Sequence, residues 1–269
     1  MRGGVIKRMS KSKYLVELLA KSRLIGNKID IIPVDLRPAN EEEAYLIQDD
    51  LHRHLFDKKY GEIIGHKIGC TTKVMQEYLG ISNPCVGGVY DVNVNYYEGN
   101  YKFNKFISPG VECEIAVFLG KDLPPQNHLY NKNSVQEAVS DVMASIEIVD
   151  DRWFDYKSID TLSLISDDFF ASGCVLGKKI KLDKIKLPEI SGRMLINDEL
   201  VGTGYGKDIM GDPLEALAWL ANFMSKRGKT LKANQFVSLG SIVETKWVNL
   251  GDSVHIEIDG LGSAIANFI

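Results

Sequence analysis

No stretch of the 269-residue chain is apolar for anything near the roughly 20 residues that a membrane helix needs, which excludes helical membrane spans. Cysteine is scarce: Cys70, Cys85, Cys113 and Cys174 are widely spaced and form no Cys-x-x-Cys pair. That argues against a disulfide frame or a zinc ribbon and fits reduced thiols in a cytoplasmic protein. An excess of one charge is also missing. The 32 Lys and Arg against 36 Asp and Glu leave a formal net charge of -4 and no electrostatic reason to expect nucleic acid. The basic N-terminus, Met1 to Lys13, lacks the apolar core and cleavage site of a secretory signal. Met9 is a candidate start, with the first eight residues an extension. There is no internal repeat, low-complexity tract or linker.

What is present is an ordinary globular balance, 45% hydrophobic and 25% charged. The first sixty residues read as helical. Tyr14 to Ala20 is an amphipathic run, and Asn40 is a plausible N-cap for a second helix from Glu41, with acids in its first turn. His52 and His54 on that helix read as solvated, since residues two apart do not share a helical face. Strands dominate afterwards, giving an α+β class: a helical segment over 1–60 packed on a catalytic portion over 61–269.

The most informative stretch is Ser108 to Leu119, whose alternation predicts a half-buried strand. Residues two apart lie on one face, about 6.5–7 Å apart, so Glu112 and Glu114 point the same way. Paired carboxylates repel unless a cation sits between them, and hard divalent ions prefer such oxygens. An exposed polar edge is the commoner explanation of an isolated Glu-x-Glu. A third acid, Glu147, in the similar apolar run Met143 to Val149, shifts the balance toward a three-carboxylate site. Lys67, between glycines in Gly65-His66-Lys67-Ile68-Gly69, either holds a carboxylate or developing enolate, or snorkels at the surface.

Elsewhere the expectations are local. Thr72 to Leu79 predicts a short helix and Ser82 to Gly88 a turn-rich loop in which Cys85 is a small buried residue. Ser134-Val135-Gln136-Glu137 has the form of a capping box, opening a helix with Val135, Ala138, Val139, Val142 and Met143 as its stripe. Asp150 to Trp153 is polar and placed near a site edge. Asp167 and Asp168 either face the cavity, the favoured reading, or cap a turn. Arg193 to Val201 predicts a strand pair turning at Asn197-Asp198, followed by a mobile glycine-rich loop, Gly202 to Gly206. Asp212-Pro213 starts a helix ending at Gly228, and strands follow over 235–239, 253–259 and 263–269.

In this order and spacing, these stretches resemble the 2-keto-4-pentenoate hydratase and 4-oxalocrotonate decarboxylase group of the fumarylacetoacetate hydrolase superfamily. The carriers include Gly65 to Thr71, Glu112-x-Glu114, Glu147-Ile148-Val149-Asp150-x-Arg152, Ser166-Asp167, Gly211-x-Pro213 and Gly260 to Ser263. The resemblance implies a mixed β roll, a pseudo-barrel with Mg²⁺ or Mn²⁺ on Glu112, Glu114 and Glu147, and assembly into dimers or larger rings. It implies catalytic roles for Lys67, Arg152 and Asp167, and puts Ile68, Gly69, Cys85, Gly204 and Leu239 against a 2-oxo or 2-hydroxy carboxylic acid.

The implied activity is hydration of a 2-hydroxy-2,4-dienoate to a 4-hydroxy-2-oxo acid, as in aromatic meta-cleavage catabolism. Decarboxylation of a 4-oxalocrotonate-type acid is the alternative; an acylpyruvate C–C hydrolase and a divergent non-catalytic paralogue that keeps the metal and binds a 2-oxo acid or a partner enzyme stand further off. Where hydratases usually carry Pro-Asp, this sequence has Pro84-Cys85. Gly110 stands where a basic residue is common, Asp168-Phe169-Phe170 replaces an Asn-Ala-small run, and Asp212 stands in place of a histidine. Leu239-Gly240 lacks an expected threonine.

Overall fold

The computed structural model describes the backbone from Arg2 to Ile269, and side chains from Lys11 onward other than those of Tyr78 and Lys184. The amphipathic N-terminal run forms α1 (Arg2–Ile25), which buries Leu15, Val16, Leu19 and Ala20. Asn40 caps α2 (Glu41–Asp57), its side chain accepting from the Glu43 N–H at 2.9 Å. Satisfying one of the four free N–H groups of a helix start fixes where the helix begins. Pro33 and Pro38 leave the intervening segment irregular, with a short 3-10 turn.

Then come β1 (Ile63–Gly69), α3 (Lys73–Leu79), β2 (Cys85–Tyr90), β3 (Val94–Tyr96), β4 (Glu98–Tyr101) and β5 (Pro109–Leu119). They are followed by α4 (Lys132–Gln136), β6 (Val139–Asp150), α5 (Thr161–Ser166), β7 (Ala171–Leu176), β8 (Ser191–Ile196) and β9 (Glu199–Tyr205). Last are α6 (Pro213–Lys226), β10 (Phe236–Trp247), β11 (Ser253–Ile258) and β12 (Gly262–Phe268). One sheet has the order β2-β1-β10-β5-β6-β7-β3 and a second the order β4-β12-β11-β8-β9. Among the described residues no helix is long and apolar enough to cross a membrane.

Four local expectations are corrected. The segment from Ser134 is not a long helix: Asn131 caps the short α4, with Ser134 closing the box, and Val139 already begins β6. Its apolar residues fit a helical stripe, but β6 is buried on both faces, where alternation is lost. Cys85 to Gly88 is strand β2, antiparallel to β1, rather than loop. β5 is central and almost wholly buried rather than half-buried. The fourth is the glycine-rich run Gly202 to Tyr205, which belongs to β9.

Glycine is needed in β9 for closeness rather than mobility. A Cβ on Gly204 would lie 1.7 Å from the Ile242 carbonyl oxygen of β10. Gly204→Ala is therefore expected to lower stability by about 3 kcal/mol, since overpacking against backbone cannot be relieved by a rotamer change. A urea midpoint equal to that of the wild type would contradict this close approach.

The expected turn at Asn197-Asp198 is present. Both residues have positive φ, 53° and 66°, the conformation that a two-residue hairpin between β8 and β9 requires. Asp212 caps α6 by accepting from the Leu214 N–H at 3.0 Å, and Gly228 follows its end at φ 67°. At the start of β5 the Asp150 carboxylate accepts from the Ile107 and Ser108 N–H groups at 2.9 and 2.7 Å. It thereby ties the last residue of β6 to the entry of β5.

Candidate metal centre and active site

β5 and β6 pair antiparallel with Glu112 directly opposite Glu147 and Glu114 opposite Ser145. Directly opposed residues share a face, and so do residues two apart, so the pairing brings all three acids to one side. One oxygen from each of Glu112, Glu114 and Glu147 lies within 4.8 Å of the others. Glu114 is 0% and Glu147 2% exposed. Glu112 is half-buried and its Oε1 accepts from the Thr245 hydroxyl of β10 at 2.5 Å.

Lys67 comes from β1, which pairs in parallel with β10 so that Lys67 lies opposite Ser238. It does not snorkel: it is 3% exposed, with Nζ 3.2 Å from Glu147 Oε1. Nζ also donates to the Phe169 carbonyl at 2.6 Å. Burial alone would lower this ammonium, but Glu147, Glu112 and Glu114 raise it above the ordinary lysine value.

Three carboxylates face one ammonium, a surplus of two negative charges. Burial pushes Glu147 up to about 7 against the pull of Lys67, with Glu112 adding to the push. Burial, then Glu147 and Glu112, raises Glu114 well above the carboxylate range. Both Glu114 oxygens are buried without a hydrogen-bond partner by geometry among the described residues, and Glu147 Oε1 is met by the Lys67 ammonium at 3.2 Å without an aligned hydrogen bond. Unsatisfied buried carboxylate oxygens cost heavily unless a cation or proton meets them. A hard divalent ion fits this donor set in charge and chemistry.

The other residues singled out in the sequence are distributed unevenly. Gly69 is at the site: a Cβ there would lie 3.5 Å from both Lys67 Nζ and the Phe169 ring. Cys85 lies opposite Gly69 on β2 and is buried. A hydrogen bond with the Cys70 thiol, and then burial, holds the Cys85 thiol well above its ordinary value, so it is not a ready nucleophile. Ile68 is fully buried and, by strand alternation, faces away from Lys67. Leu239 follows Ser238 on β10 and is also fully buried. Gly204 is not brought to the acids; it lies against Ile242.

Arg152 and Asp167 are brought to each other. Arg152 Nε donates to Asp167 Oδ2 at 2.8 Å, and Arg23 of α1 donates to Asp167 Oδ1 at 3.1 Å. Both arginines also donate to the Asp167 carbonyl, at 3.1 and 2.7 Å. Neither pairing involves Glu112, Glu114 or Glu147; the group braces the turn that carries Phe169. Sequence reasoning missed Thr245 and the Phe169 carbonyl. It also misjudged His52, which is half-buried with Nε2 2.6 Å from Asp168 Oδ1 rather than solvated.

Residues 102–269 match the family model of the fumarylacetoacetate (FAA) hydrolase C-terminal. The chain is 32% identical to 2-keto-4-pentenoate hydratase 1 of Dechloromonas aromatica (strain RCB), covering 93% of this chain and 94% of that one. It is 28% identical to a 4-oxalocrotonate decarboxylase of Pseudomonas putida, covering 95% and 96%. The structure of 4-oxalocrotonate decarboxylase from Pseudomonas putida G7, complexed with magnesium and adipate, superposes with a TM-score of 0.91 at 26% identity. That match covers 97% of this chain and 98% of the other.

Proposed function

Because the chain belongs to the fumarylacetoacetate hydrolase C-terminal family, we propose that it is a divalent-metal-dependent lyase that hydrates a 2-hydroxy-2,4-dienoate to a 4-hydroxy-2-oxo acid. The observation that carries this reading is the meeting of Glu112, Glu114 and Glu147 beside the buried Lys67. Mg²⁺ or Mn²⁺ held by the three acids would act as a Lewis acid toward the chelating end of a 2-oxo acid. Lys67 supplies the rest of the local positive charge. Of its three N–H donors, one is directed to Phe169 and one faces Glu147, which leaves a third for a substrate oxygen. In that place it favours the enolate form, whose negative charge develops during both ketonisation and its reverse.

Water then adds across the conjugated double bond that remains after ketonisation. A second reading is decarboxylation, in which a 2-oxo-3-enedioate loses its far carboxylate and leaves the same dienolate. Cys85 supports it, since the carboxylate that the hydratase resemblance implies at that position is absent. The residues further support a cytoplasmic homo-oligomer: the cysteines are free, and large apolar side chains are exposed at Leu24, Ile25, Ile31 and Val34. This reading also includes a complex with a pathway enzyme that supplies the dienoate.

The test is spectrophotometric. With Mg²⁺, the protein is expected to consume the ultraviolet absorbance of a 2-hydroxydienoate and yield the hydroxy-oxo acid. Carbon dioxide release from a 2-oxo-3-enedioate, without dienoate consumption, would decide for the second reading. A protein inert toward both would remove the lyase assignment.

A further inference from the structure

Phe169 reaches Lys67 from an unusual piece of backbone. Asp168, Phe169 and Phe170 have φ of 55°, 49° and 67°, three successive left-handed residues with no glycine among them. Such a turn persists only where its surroundings hold it. Beside the arginines that brace Asp167, one holder is the Asp168 carboxylate, 0% exposed. Its Oδ1 accepts from the Gly88 N–H of β2 at 2.9 Å and meets His52 Nε2 of α2 at 2.6 Å, while Oδ2 is 3.2 Å from Arg23 Nη2 of α1. Gly87 lets the turn lie flat on β2, because a Cβ there would stand 2.5 Å from the Asp168 carbonyl oxygen. The result is the 2.6 Å bond from Lys67 to the Phe169 carbonyl, with the ring centroid 5.3 Å from Nζ.

We propose that Asp168 is a positioning residue: held by Arg23, His52 and the Gly88 amide, it fixes the turn that aims the Phe169 carbonyl at Lys67, so the two N-terminal helices orient the active-site lysine. Burial alone would raise this carboxyl, but His52, Arg23 and Gly88 hold it at about 2, which keeps it ionised to accept from the Gly88 amide and to pair with His52 and Arg23. The carboxylate touches no metal ligand and acts only through Phe169. The catalytic consequence rests on the lyase reading; the orientation of Lys67 does not.

The experiment therefore measures both, on the full chain with saturating Mg²⁺. Lys67 is pulse-labelled by reductive methylation without substrate and quantified by peptide mass spectrometry. Asp168→Ala is expected to speed its methylation at least about fivefold and to lower kcat about 30-fold with KM within about threefold, the scale of a misplaced catalytic group. Asp168→Asn, which keeps one oxygen acceptor for the Gly88 amide and His52 but loses the charge that faces Arg23, is expected to recover part of both. If Asp168→Ala does not fold, His52→Gln removes one holder and is read by the same labelling, with a smaller rise expected. Wild-type labelling of Lys67 in every folded variant overturns the inference, even if kcat falls. Wild-type protein inert toward dienoates sinks the lyase reading and leaves the labelling result to decide this one.

Discussion

Glu114→Gln is expected to reduce dienoate turnover at least about a thousandfold and to abolish the stabilisation by Mg²⁺, so that the stability order of the two proteins reverses between EDTA and Mg²⁺. The first expectation follows from charge. Glu114 is 0% exposed with both oxygens buried beside Glu112 and Glu147, so its replacement removes one of the three candidate ligands. Lewis-acid stabilisation is worth several kcal/mol, and each 1.36 kcal/mol is a factor of ten in rate. The second expectation is sharper because it changes sign. In EDTA the wild type keeps the Glu114 carboxyl buried beside Glu147 and Glu112, where burial and those neighbours oppose its ionisation, and the isosteric amide removes that penalty. The variant should then melt above the wild type. With Mg²⁺ at about 100 times its dissociation constant, the wild type should gain about 2.7 kcal/mol that the variant forgoes. Thermal unfolding in both conditions checks the pair; identical Mg²⁺ shifts in the two proteins would remove the metal centre from Glu114.

Lys67→Met is expected to lower kcat by about 10²–10³, the usual loss when one preorganised donor to a developing oxyanion is removed. Methionine fills a similar volume, so packing is largely kept and charge is what changes. The buried pair with Glu147 is broken from the cationic side, which leaves uncompensated charge and costs about 3–5 kcal/mol in metal-free protein. Urea unfolding in EDTA measures that loss. Added Mg²⁺ should restore part of the stability and none of the rate. Retention of kcat within about threefold would show that the ammonium is a structural counter-ion only. Arginine is not a conservative rescue, since its planar fork cannot reproduce a single N–H directed at Phe169.

Some of this was legible in the sequence because the signals are local. Asn40 and Asp212 mark helix starts by their own side chains, and Asn197-Asp198 tolerates the positive φ of its turn. Glu112 and Glu114 share a strand, so alternation alone places them together. Glu147 stood out by its similar apolar run and Lys67 by its flanking glycines, and the family resemblance tied both to that pair; their meeting is a matter of strand pairing that no local pattern states. Where periodicity was read along β6, it misled, because a strand buried on both faces carries no alternation. β2 was hidden by Pro84, Gly87 and Gly88, residues that usually signal a turn. In this chain Gly87 admits the Asp168 backbone instead. The pairing of His52 with Asp168 spans 116 residues and that of Arg23 with Asp167 spans 144. Contacts at such separations leave no mark on composition or spacing.

The Asp150 clasp at the mouth of β5 has a consequence for the chemistry some distance along the ladder. Strand faces alternate strictly, so sliding β6 by a single position would present Ile146 or Ile148 where Glu147 now stands, and an oily methyl group would meet Glu112 and Glu114. The cation trap thus depends on alignment as much as on identity: the right acids, misthreaded by one notch, would bind nothing. A carboxylate that grips the Ile107 and Ser108 amides helps to hold that notch, and so bears on whether the three acids can meet at all.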